Sequence, residues 1–416
     1  MGDVTPQTIW IINQYASTPN SGMGGRHYYL AKELAKQGHK VYLVAASYTH
    51  LLRNPPVIDD AYKVEPVAGF SFIWLKAPTY QGAHDKKRVL NWFYFSWKLL
   101  KLPKIISDKP DVILYSSPSL VPYIAAKYLA EKLKCKLVFE VRDIWPLTLI
   151  ELGGYSPKHP FIRLMQWVED KAYCDSDAVL SNLPNAVEHM VQRGMERKKF
   201  TWIPNGFDMD EVAQTEPLTK NSLAELPKGK FIVGYTGTIG VANALESFID
   251  AASLAKSDDT LAWVLVGAGK EKPNLQIKCK NLGLSNVYFV NSIPKTQIQT
   301  MLSQFDVCFI GWKSEPIYRF GTAPNKVPEY LYAGKPIVHA FSGYGDPVNI
   351  ANAGISVSAE SSHAIVSAVL ELKGMTPVQR DQLGKNGREF VMKNHDYSKL
   401  AVKLFKVMLS ENEKTV

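Results

Sequence analysis

The chain has 416 residues, of which 46% are hydrophobic, and this size and composition are typical of a globular protein with two or three domains. Its 48 Lys and Arg residues exceed its 39 Asp and Glu residues, giving a formal net charge of +9, but they form no block of like charges that would predict a nucleic-acid partner. Such dispersed positive charge is compatible with anionic small molecules or an anionic membrane surface.

Short β-rich runs alternate with helical segments along the first half of the chain. The predicted strands cover 8–13, 40–46, 111–117, 136–142, 178–182 and 200–204, and the predicted helices cover 26–37, 119–133, 160–174 and 184–193. This alternation predicts an α/β fold with a doubly wound parallel sheet.

The same pattern starts again in the second half. Predicted strands cover 231–237, 262–269, 286–293, 306–312 and 336–341, and predicted helices cover 243–256, 271–283, 294–303 and 325–333. The polar segment 205–229 contains prolines and no clear strand. We therefore predict two Rossmann-like domains facing a cleft, residues 1–205 and 206–390.

The first strand-to-helix turn is rich in glycine. The stretch SGMGGRHYYLAKELAKQGHKV contains Gly22, Gly24 and Gly25 directly before Arg26, where a backbone without Cβ atoms can approach an anion at a helix N-terminus. Gly24, Gly25 and Arg26 are therefore candidate nucleotide-sugar-binding residues. The spacing is not G-x-G-x-x-G, and the second strand ends in Ala-Ala-Ser instead of an acid, which disfavours a dinucleotide site. The alternative explanation for these glycines is a loop that requires positive φ angles and binds no ligand.

Three loops of the second half are predicted to meet at one edge of its sheet. The loops within 235–247 and 266–272 follow strands and are glycine-rich. The third, within 318–338, contains cationic residues, a turn and a carboxylate. Their candidate nucleotide-binding residues are Gly237, Thr238, Gly240, Gly267, Gly269, Ile293, Arg319, Asn325, Lys326 and Glu329. A nucleoside diphosphate requires N–H donors and cations for its phosphates and a carboxylate for its ribose hydroxyls.

These motifs, in this order, resemble those of retaining glycosyltransferase family 4, which has the two-domain GT-B fold. The resemblance includes the first glycine turn, EVRDIWP (140–146), SDAVLSNLP (176–184), IPNGFD (203–208) and PNKVPEYLYAGKPIV (324–338). Within the family the chain is most similar to bacterial enzymes of O-antigen and capsule synthesis that transfer N-acetylated amino sugars, such as the L-fucosamine transferases. The resemblance implies that residues 391–416 form a C-terminal helix that crosses back to the N-terminal domain.

The resemblance also implies roles for single residues. Glu329 closes the family's E-x7-E motif and would contact the ribose of a UDP-sugar, uridine being the family's commoner base. The opening glutamate is replaced by Gly321, and the loop 236–243 lacks the Arg or Lys that many relatives use for phosphate. We therefore expect Arg319 and Lys326 to supply the positive charge; a solvated helix-start lysine is the alternative for Lys326.

The N-terminal domain is expected to bind the acceptor, a lipid-linked sugar or an oligosaccharide. In FEVRDIWP, Arg142 and Asp143 come at the end of a strand, so Asp143 is predicted to orient or deprotonate the acceptor, with Arg142 and Glu140 beside it. A buried Arg–Asp pair without a catalytic role is the alternative. His27 and His84 are weaker candidates, because a lone histidine is more often structural. Relatives use a front-face route without a clear protein nucleophile.

No cofactor and no metal ion are expected. The triplets DSD (175–177) and DMD (208–210) are not predicted to lie at a cleft-facing strand end with a second cluster of oxygen ligands. Cys135, Cys174, Cys279 and Cys308 form no C-x-x-C pair, which argues against a zinc site and against a disulfide framework. A reducing cytoplasm is therefore the simplest setting, and the first residues show no signal-peptide pattern.

Residues 86–106 are predicted to form a basic, aromatic-rich amphipathic helix. Leu90, Phe93, Tyr94 and Trp97 recur at helical spacing, with Lys98, Lys101 and Lys104 between and after them. We expect this helix to contact the inner face of the cell membrane as a peripheral element, because no run is long enough to span a bilayer. An ordinary helix that covers the sheet is the alternative.

Two other functions remain open from the sequence. One is a GT-B sugar-nucleotide 2-epimerase, although the predicted cleft motifs hold no paired histidines. The other is a non-catalytic nucleotide- or glycan-binding module, which would not need phosphate-facing loops in both halves.

Overall fold

The computed structural model describes residues 5–82 and 85–409, and the chain divides into two compact units. The first contains the chain up to Pro204 and the segment from Tyr397; the second is Asn205–Asp396. The divide expected after residue 205 thus falls one residue earlier. The return segment, expected from residue 391, begins at Tyr397, because Val391 is fully buried in the second unit.

An eight-stranded sheet forms the centre of the first unit, in the order β3-β4-β2-β1-β5-β6-β7-β8. The strands are β1 (Thr8–Ile12), β2 (Lys40–Ala46), β3 (Tyr62–Val67), β4 (Phe70–Leu75), β5 (Val112–Ser116), β6 (Lys136–Val141), β7 (Ala178–Ser181) and β8 (Phe200–Trp202). All pairs are parallel except β3 with β4. The sequence analysis missed both strands of this hairpin. β3 carries charges and a proline, as exposed edge strands often do, whereas β4 is a buried apolar run that was left unassigned.

Helices flank this sheet as the alternation predicted. They are α1 (Arg26–Lys36), α2 (Lys87–Leu99), α3 (Leu102–Ile105), α4 (Tyr123–Leu133), α5 (Leu147–Glu151), α6 (Pro160–Asp175) and α7 (Ala186–Gln192). The helix expected over 86–106 is divided into α2 and α3, and Pro103 lies in the first turn of α3, where its missing N–H costs no hydrogen bond.

The second unit has a six-stranded, wholly parallel sheet in the order β11-β10-β9-β12-β13-β14. The strands are β9 (Phe231–Thr236), β10 (Leu261–Val266), β11 (Val287–Val290), β12 (Val307–Gly311), β13 (Ile337–Ala340) and β14 (Gly354–Val357). The helices are α8 (Met209–Ala213), α9 (Lys220–Ala224), α10 (Leu245–Leu254), α11 (Lys272–Asn281), α12 (Ile298–Ser303), α13 (Lys326–Tyr332), α14 (Pro347–Ile350), α15 (Ser362–Gly374) and α16 (Pro377–Asn394). Among these strands, the short, half-buried edge strand β14 was not predicted. The helices α8, α9, α14, α15 and α16 were not predicted either.

The last described helix, α17 (Tyr397–Leu409), packs into the core of the first unit. Its buried face includes Leu400 and Leu404, and Tyr397 stacks on Tyr29 of α1 with ring centroids 5.2 Å apart. Burial of this apolar face fixes the C-terminal segment to α1.

The described part of the chain contains no helix that is both long and apolar enough to cross a membrane. All four cysteines are free thiols, as the lack of C-x-x-C pairs predicted.

Candidate functional site

Two glycine loops of the second unit pack backbone to backbone at the carboxyl ends of β9 and β10. Gly237 N–H donates to Val266 O at 2.9 Å, and Ile239 N–H donates to Ala268 O at 2.8 Å. A Cβ added to Gly267 would lie 2.0 Å from Gly237 O, and Gly267 has a φ of 146°. Gly269 would meet Ile239 O at the same distance. Only glycine allows this approach, so the paired loops form a rigid base.

Lys326, the first residue of α13, lies over this base. Its Nζ donates to Tyr235 Oη at 2.7 Å and to Asn243 Oδ1 at 3.0 Å, and it lies 4.4 Å from the centroid of the Tyr235 ring. An ammonium has three N–H donors, and within the described residues only these two acceptors contact it. The lysine lies against the glycine loop, since a Cβ on Gly237 would meet Nζ at 3.1 Å. Its predicted role in binding phosphate stays a prediction.

The same contacts fix the turn at Thr238. Tyr235 Oη donates to Thr238 O at 2.7 Å, and Asn243 Nδ2 donates to it at 3.0 Å. Gly240 follows and begins a 3-10 turn, Val241–Asn243. Burial lowers the pKa of Lys326 to about 8, and Glu329 opposes this shift. The lysine is therefore a cation whose charge would be stabilised by an incoming anion.

Glu329 lies on α13 beside a small cavity of about 160 Å³. Lys295 Nζ is 3.7 Å from Glu329 Oε1 and 2.8 Å from Glu211 Oε2. Burial raises the pKa of Glu329, while Lys295 lowers it. The carboxylate is thus held between a cation and a cavity whose lining also includes Gln214, Thr296 and Gln299.

Lys295 and Tyr330 are parts of this site that the sequence analysis missed. Tyr330 accepts from Thr236 N–H at 2.6 Å and donates to Thr236 O at 2.8 Å, which ties α13 to the end of β9. The run PNKVPEYLY contains Tyr330, and its position one residue after Glu329 could have indicated an inward-facing side chain. Nothing in the sequence around Lys295 indicates its partners, which lie 34 and 84 residues away.

The other candidates of the second unit lie around these two clusters. Arg319 is exposed, donates to Pro316 O at 2.7 Å and lines an open groove of about 570 Å³, whose lining does not include Lys326. Asn325 accepts from Asn205 at 3.1 Å, and Ile293 packs against an apolar cluster of the unit. Gly321 has a φ of 92°, so a glutamate there would be strained, which is a physical reason for the incomplete E-x7-E motif.

In the first unit, Glu140 and Arg26 form a buried ion pair below the glycine turn. Arg26 Nε donates to Glu140 Oε1 at 2.8 Å, and a second guanidinium nitrogen donates to Pro204 O. His27 Nε2 lies 2.7 Å from Glu140 Oε2, and Ser116 Oγ donates to the same oxygen at 2.7 Å. Burial alone would raise the pKa of Glu140, but Arg26 and His27 hold it well below its usual range.

This burial corrects two of the predicted roles. Glu140 is 0% exposed and Arg26 is 2% exposed, so no substrate can contact either side chain in this conformation. Burial also lowers the pKa of His27, although Glu140 opposes the shift. The cluster instead fixes the start of α1, where Gly24 and Gly25 have φ angles of 67° and 86°. His84, the other imidazole considered, lies outside the described residues.

Arg142 and Asp143 follow β6 at the carboxyl edge of the sheet, as predicted. Arg142 N–H donates to Ser117 Oγ at 2.9 Å, and its Nε is buried and has no hydrogen-bond partner among the described residues. Asp143 is exposed to solvent. Desolvation nevertheless raises the pKa of the Asp143 carboxyl, and Arg142 opposes this shift, so a structural Arg–Asp pair stays the alternative to a catalytic role.

The aspartate triplets have structural partners. Asp208 caps α8 by accepting from Glu211 N–H at 2.9 Å, and Asp177 accepts from Leu137 N–H at 2.8 Å. Within residues 5–82 and 85–409, no three His, Cys, Asp or Glu side chains converge as metal ligands. Metal independence stays a prediction.

Both halves of the chain match models of known protein families. Residues 21–211 match the family model Glycosyltransferase Family 4, and residues 230–374 match the model Glycosyl transferases group 1. The two matches follow the two structural units and together span most of the chain.

Individual relatives agree with these matches. The chain is 22% identical over 365 residues to an Escherichia coli (strain K12) protein named as a colanic acid biosynthesis glycosyl transferase, WcaI, covering 84% of this chain and 88% of that protein. The fold is similar to that of a sucrose-phosphate synthase from Thermosynechococcus elongatus (TM-score 0.73, 17% identity, 96% and 98% of the two chains). It is also similar to Anabaena HepE in complex with UDP and glucose (TM-score 0.64, 14% identity, 97% and 99%). The chain is therefore a glycosyltransferase of the GT-B fold, whose two halves match the models Glycosyltransferase Family 4 and Glycosyl transferases group 1.

Proposed function

We propose that the protein is a retaining glycosyltransferase that transfers an N-acetylated amino sugar from a UDP-sugar to a lipid-linked or oligosaccharide acceptor during bacterial surface-polysaccharide synthesis. The observation that carries the proposal is the position of Lys326 over the paired glycine loops, with Glu329 one helical turn further along α13. The name of the WcaI relative, and the nucleotide bound to HepE, support the direction of this proposal.

Each part of the second unit has a chemical task in this proposal. Lys326 neutralises the diphosphate, and its remaining N–H donates to a phosphate oxygen. Stabilising charge that develops on a leaving group in this way is typically worth several kcal/mol of barrier. Glu329 accepts hydrogen bonds from the ribose hydroxyls, and Lys295 keeps it ionised. The groove that Arg319 lines, with Glu315 and Ser342, receives the sugar.

The first unit presents the acceptor. Asp143 is the exposed carboxylate at the carboxyl edge of this sheet that orients the attacking hydroxyl, while Arg142 is held by Ser117 next to it. Attack on the face from which UDP departs retains the anomeric configuration, and a phosphate oxygen of UDP takes the acceptor proton. No protein nucleophile and no metal ion enters this route.

Nucleotide binding and turnover test this division of labour separately. UDP at 100 times its dissociation constant is expected to stabilise the protein by roughly 2.7 kcal/mol in a thermal-shift assay. We expect Glu329→Ala to abolish that shift, and Asp143→Asn to keep it while stopping UDP release from UDP-sugars with acceptor. Equal loss of the shift in both variants would contradict the assignment. An epimerase would convert the UDP-sugar mainly to its epimer. A binding module would produce neither the epimer nor free UDP.

A membrane contact of α2 belongs to the same proposal. Leu90, Phe93 and Trp97 are 68%, 45% and 51% exposed, although such large apolar side chains are normally buried. Lys101 Nζ lies 4.1 Å from the Trp97 ring centroid, so positive charge accompanies the apolar strip. This combination fits the interface of an anionic bilayer.

Vesicle sedimentation tests the membrane contact. Vesicles with anionic lipid should bind the wild-type protein at low salt and release it at high salt, and Phe93→Ser with Trp97→Ser should weaken binding. Binding that is equal for neutral and anionic vesicles, or unchanged in the double variant, would refute the contact.

A further inference from the structure

A polar and aromatic cluster lies at the carboxyl edge of the first unit's sheet, apart from the residues used above. Tyr15 follows β1, Trp145 follows β6, and Arg88 and Trp92 lie in the first two turns of α2; we call these four residues the Tyr15 cluster. Because the carboxyl ends of parallel strands form the ligand-binding edge of an open α/β sheet, the cluster lies where a substrate of this unit would bind.

The hydroxyl oxygen of Tyr15 accepts hydrogen bonds from two neighbouring side chains. Arg88 Nε donates to Tyr15 Oη at 2.9 Å, and Trp92 Nε1 donates to the same oxygen at 2.8 Å. A phenol has two acceptor lone pairs and a single O–H donor, so its own proton must be donated elsewhere. No acceptor for that proton contacts Tyr15 among the described residues. The hydroxyl is therefore an oriented donor that lacks a partner.

Arg88 places a positive charge beside this donor. Its guanidinium carbon lies 5.4 Å from the ring centroid of Tyr15, 5.8 Å from that of Trp92 and 5.6 Å from that of Trp145. The three rings and the hydrogen bond to Tyr15 help to hold the planar group in place, and a guanidinium can donate several N–H groups to an oxyanion. The nearby Asp85 carboxylate accepts from the backbone N–H groups of Gln81 and Lys87, at 2.9 Å each.

The same helix that carries Arg88 carries the exposed apolar strip of Leu90, Phe93 and Trp97. Its opposite face buries Trp92 and Phe95 against the unit. Arg88 and Trp97 are separated by about 14 Å along the helix axis, from a rise of 1.5 Å per residue. One rigid element thus joins an anion-binding cluster to an apolar, basic surface, which is the arrangement that an amphiphile with an anionic head requires.

We propose that Tyr15 and Arg88 bind the phosphate of a lipid-phosphate-linked acceptor, with the lipid lying along the outer face of α2. This inference rests on the proposed function for the identity of the acceptor, but the binding it predicts can be measured without turnover. The Tyr15 O–H and the Arg88 N–H groups donate to phosphate oxygens, and the aromatic rings exclude water around the ion pair, which strengthens it.

Titration with farnesyl phosphate and farnesol, followed by tryptophan fluorescence, tests the site because Trp92 and Trp145 lie within it. The wild-type protein should bind farnesyl phosphate at least about tenfold more tightly than farnesol, a difference of about 1.4 kcal/mol. Tyr15→Phe and Arg88→Gln should each reduce this preference several-fold or abolish it, and Arg88→Lys should keep part of it.

Tyr48→Phe is the matched control, because the Tyr48 hydroxyl already donates to Tyr80 O at 2.7 Å. It should retain the preference for the phosphate. An unchanged preference in both Tyr15→Phe and Arg88→Gln overturns the site. If inorganic phosphate binds as tightly as farnesyl phosphate, the assignment to a lipid phosphate is overturned.

The UDP thermal shift separates this proposal from the proposed function. Tyr15→Phe and Arg88→Gln should leave that shift intact, because the UDP residues belong to the second unit. If neither the wild-type protein nor the two variants show a UDP shift, but the wild-type protein still prefers farnesyl phosphate, UDP binding by the second unit is refuted and the lipid-phosphate site stands.

Discussion

Lys326 provides the sharpest test of the nucleotide site, because its charge is predicted to titrate within an accessible pH range. Burial lowers its pKa to about 8, so the ammonium is about nine tenths protonated at pH 7 and about one tenth protonated at pH 9. A diphosphate that binds only the protonated form should therefore bind about tenfold more weakly at pH 9. The terminal phosphate of UDP is already largely ionised across this range and opposes the change little.

Isothermal titration calorimetry of UDP at the two pH values measures this effect directly. Lys326→Met should weaken UDP binding at pH 7 and remove the fall in affinity between pH 7 and 9. Lys326→Arg should keep the charge without the titration, although its shape differs from that of lysine. Lys335→Met is the control, because Lys335 follows the C-terminal end of α13. This variant should bind UDP as the wild-type protein does at both pH values. If wild-type and Lys326→Met lose affinity equally between the two pH values, Lys326 does not contact the phosphates.

Three further predictions concern stability and the neighbours of the site. Gly267→Ala should destabilise the protein by roughly 3 kcal/mol or more in urea unfolding, since its Cβ would lie 2.0 Å from Gly237 O, while Gly374→Ala, with no atom within 4 Å, should have little effect or stabilise slightly. Glu140→Gln should cost about 3–5 kcal/mol at neutral pH because it leaves Arg26 buried without its counter-charge. Since folding depresses the pKa of Glu140, this contribution is fully present above its ordinary pKa of 4.5 and declines as the pH falls below it, so a constant difference in stability between pH 7 and pH 3 would contradict the ion pair. Lys295→Met should raise the pKa of Glu329 further and make UDP binding weaken at a higher pH on acidification than in the wild-type protein, and an unchanged acid limb of the binding profile would show that Lys295 does not position Glu329.

Much of the fold was predictable because its signals are local. The alternation of apolar strands with amphipathic helices identified two α/β halves, and the polar segment around residue 205 located their divide. Three strands escaped prediction: β3 and β14, which lie at sheet edges, and the inner strand β4, whose buried apolar run FSFIWL the sequence analysis did not assign. β3 is exposed and contains Pro66, and β14 is a short half-buried strand, so neither has the apolar run of a central strand.

The candidate site was predictable only in part. Gly237 and Lys326 were expected together because parallel strands end at one edge, a rule of topology that needs no knowledge of contacts. The same rule placed Glu140 at the edge as a catalytic group, where the structure buries it completely. Nearly every residue of β6 is buried, so an alternation of apolar and polar residues could not show which way the Glu140 side chain points.

The amino-acid sequence by itself determined the secondary-structure alternation, the glycine turns and the surface apolar pattern of α2, since these depend on neighbours a few residues apart. Tertiary structure alone decided the partners of the charged groups: Arg26 with Glu140, Lys295 with Glu329, and Arg88 with Tyr15, pairs separated by 114, 34 and 73 residues. Side chains so distant along the chain meet only after the sheets have set the register of every strand, because only then are their distances and their shielding from water defined.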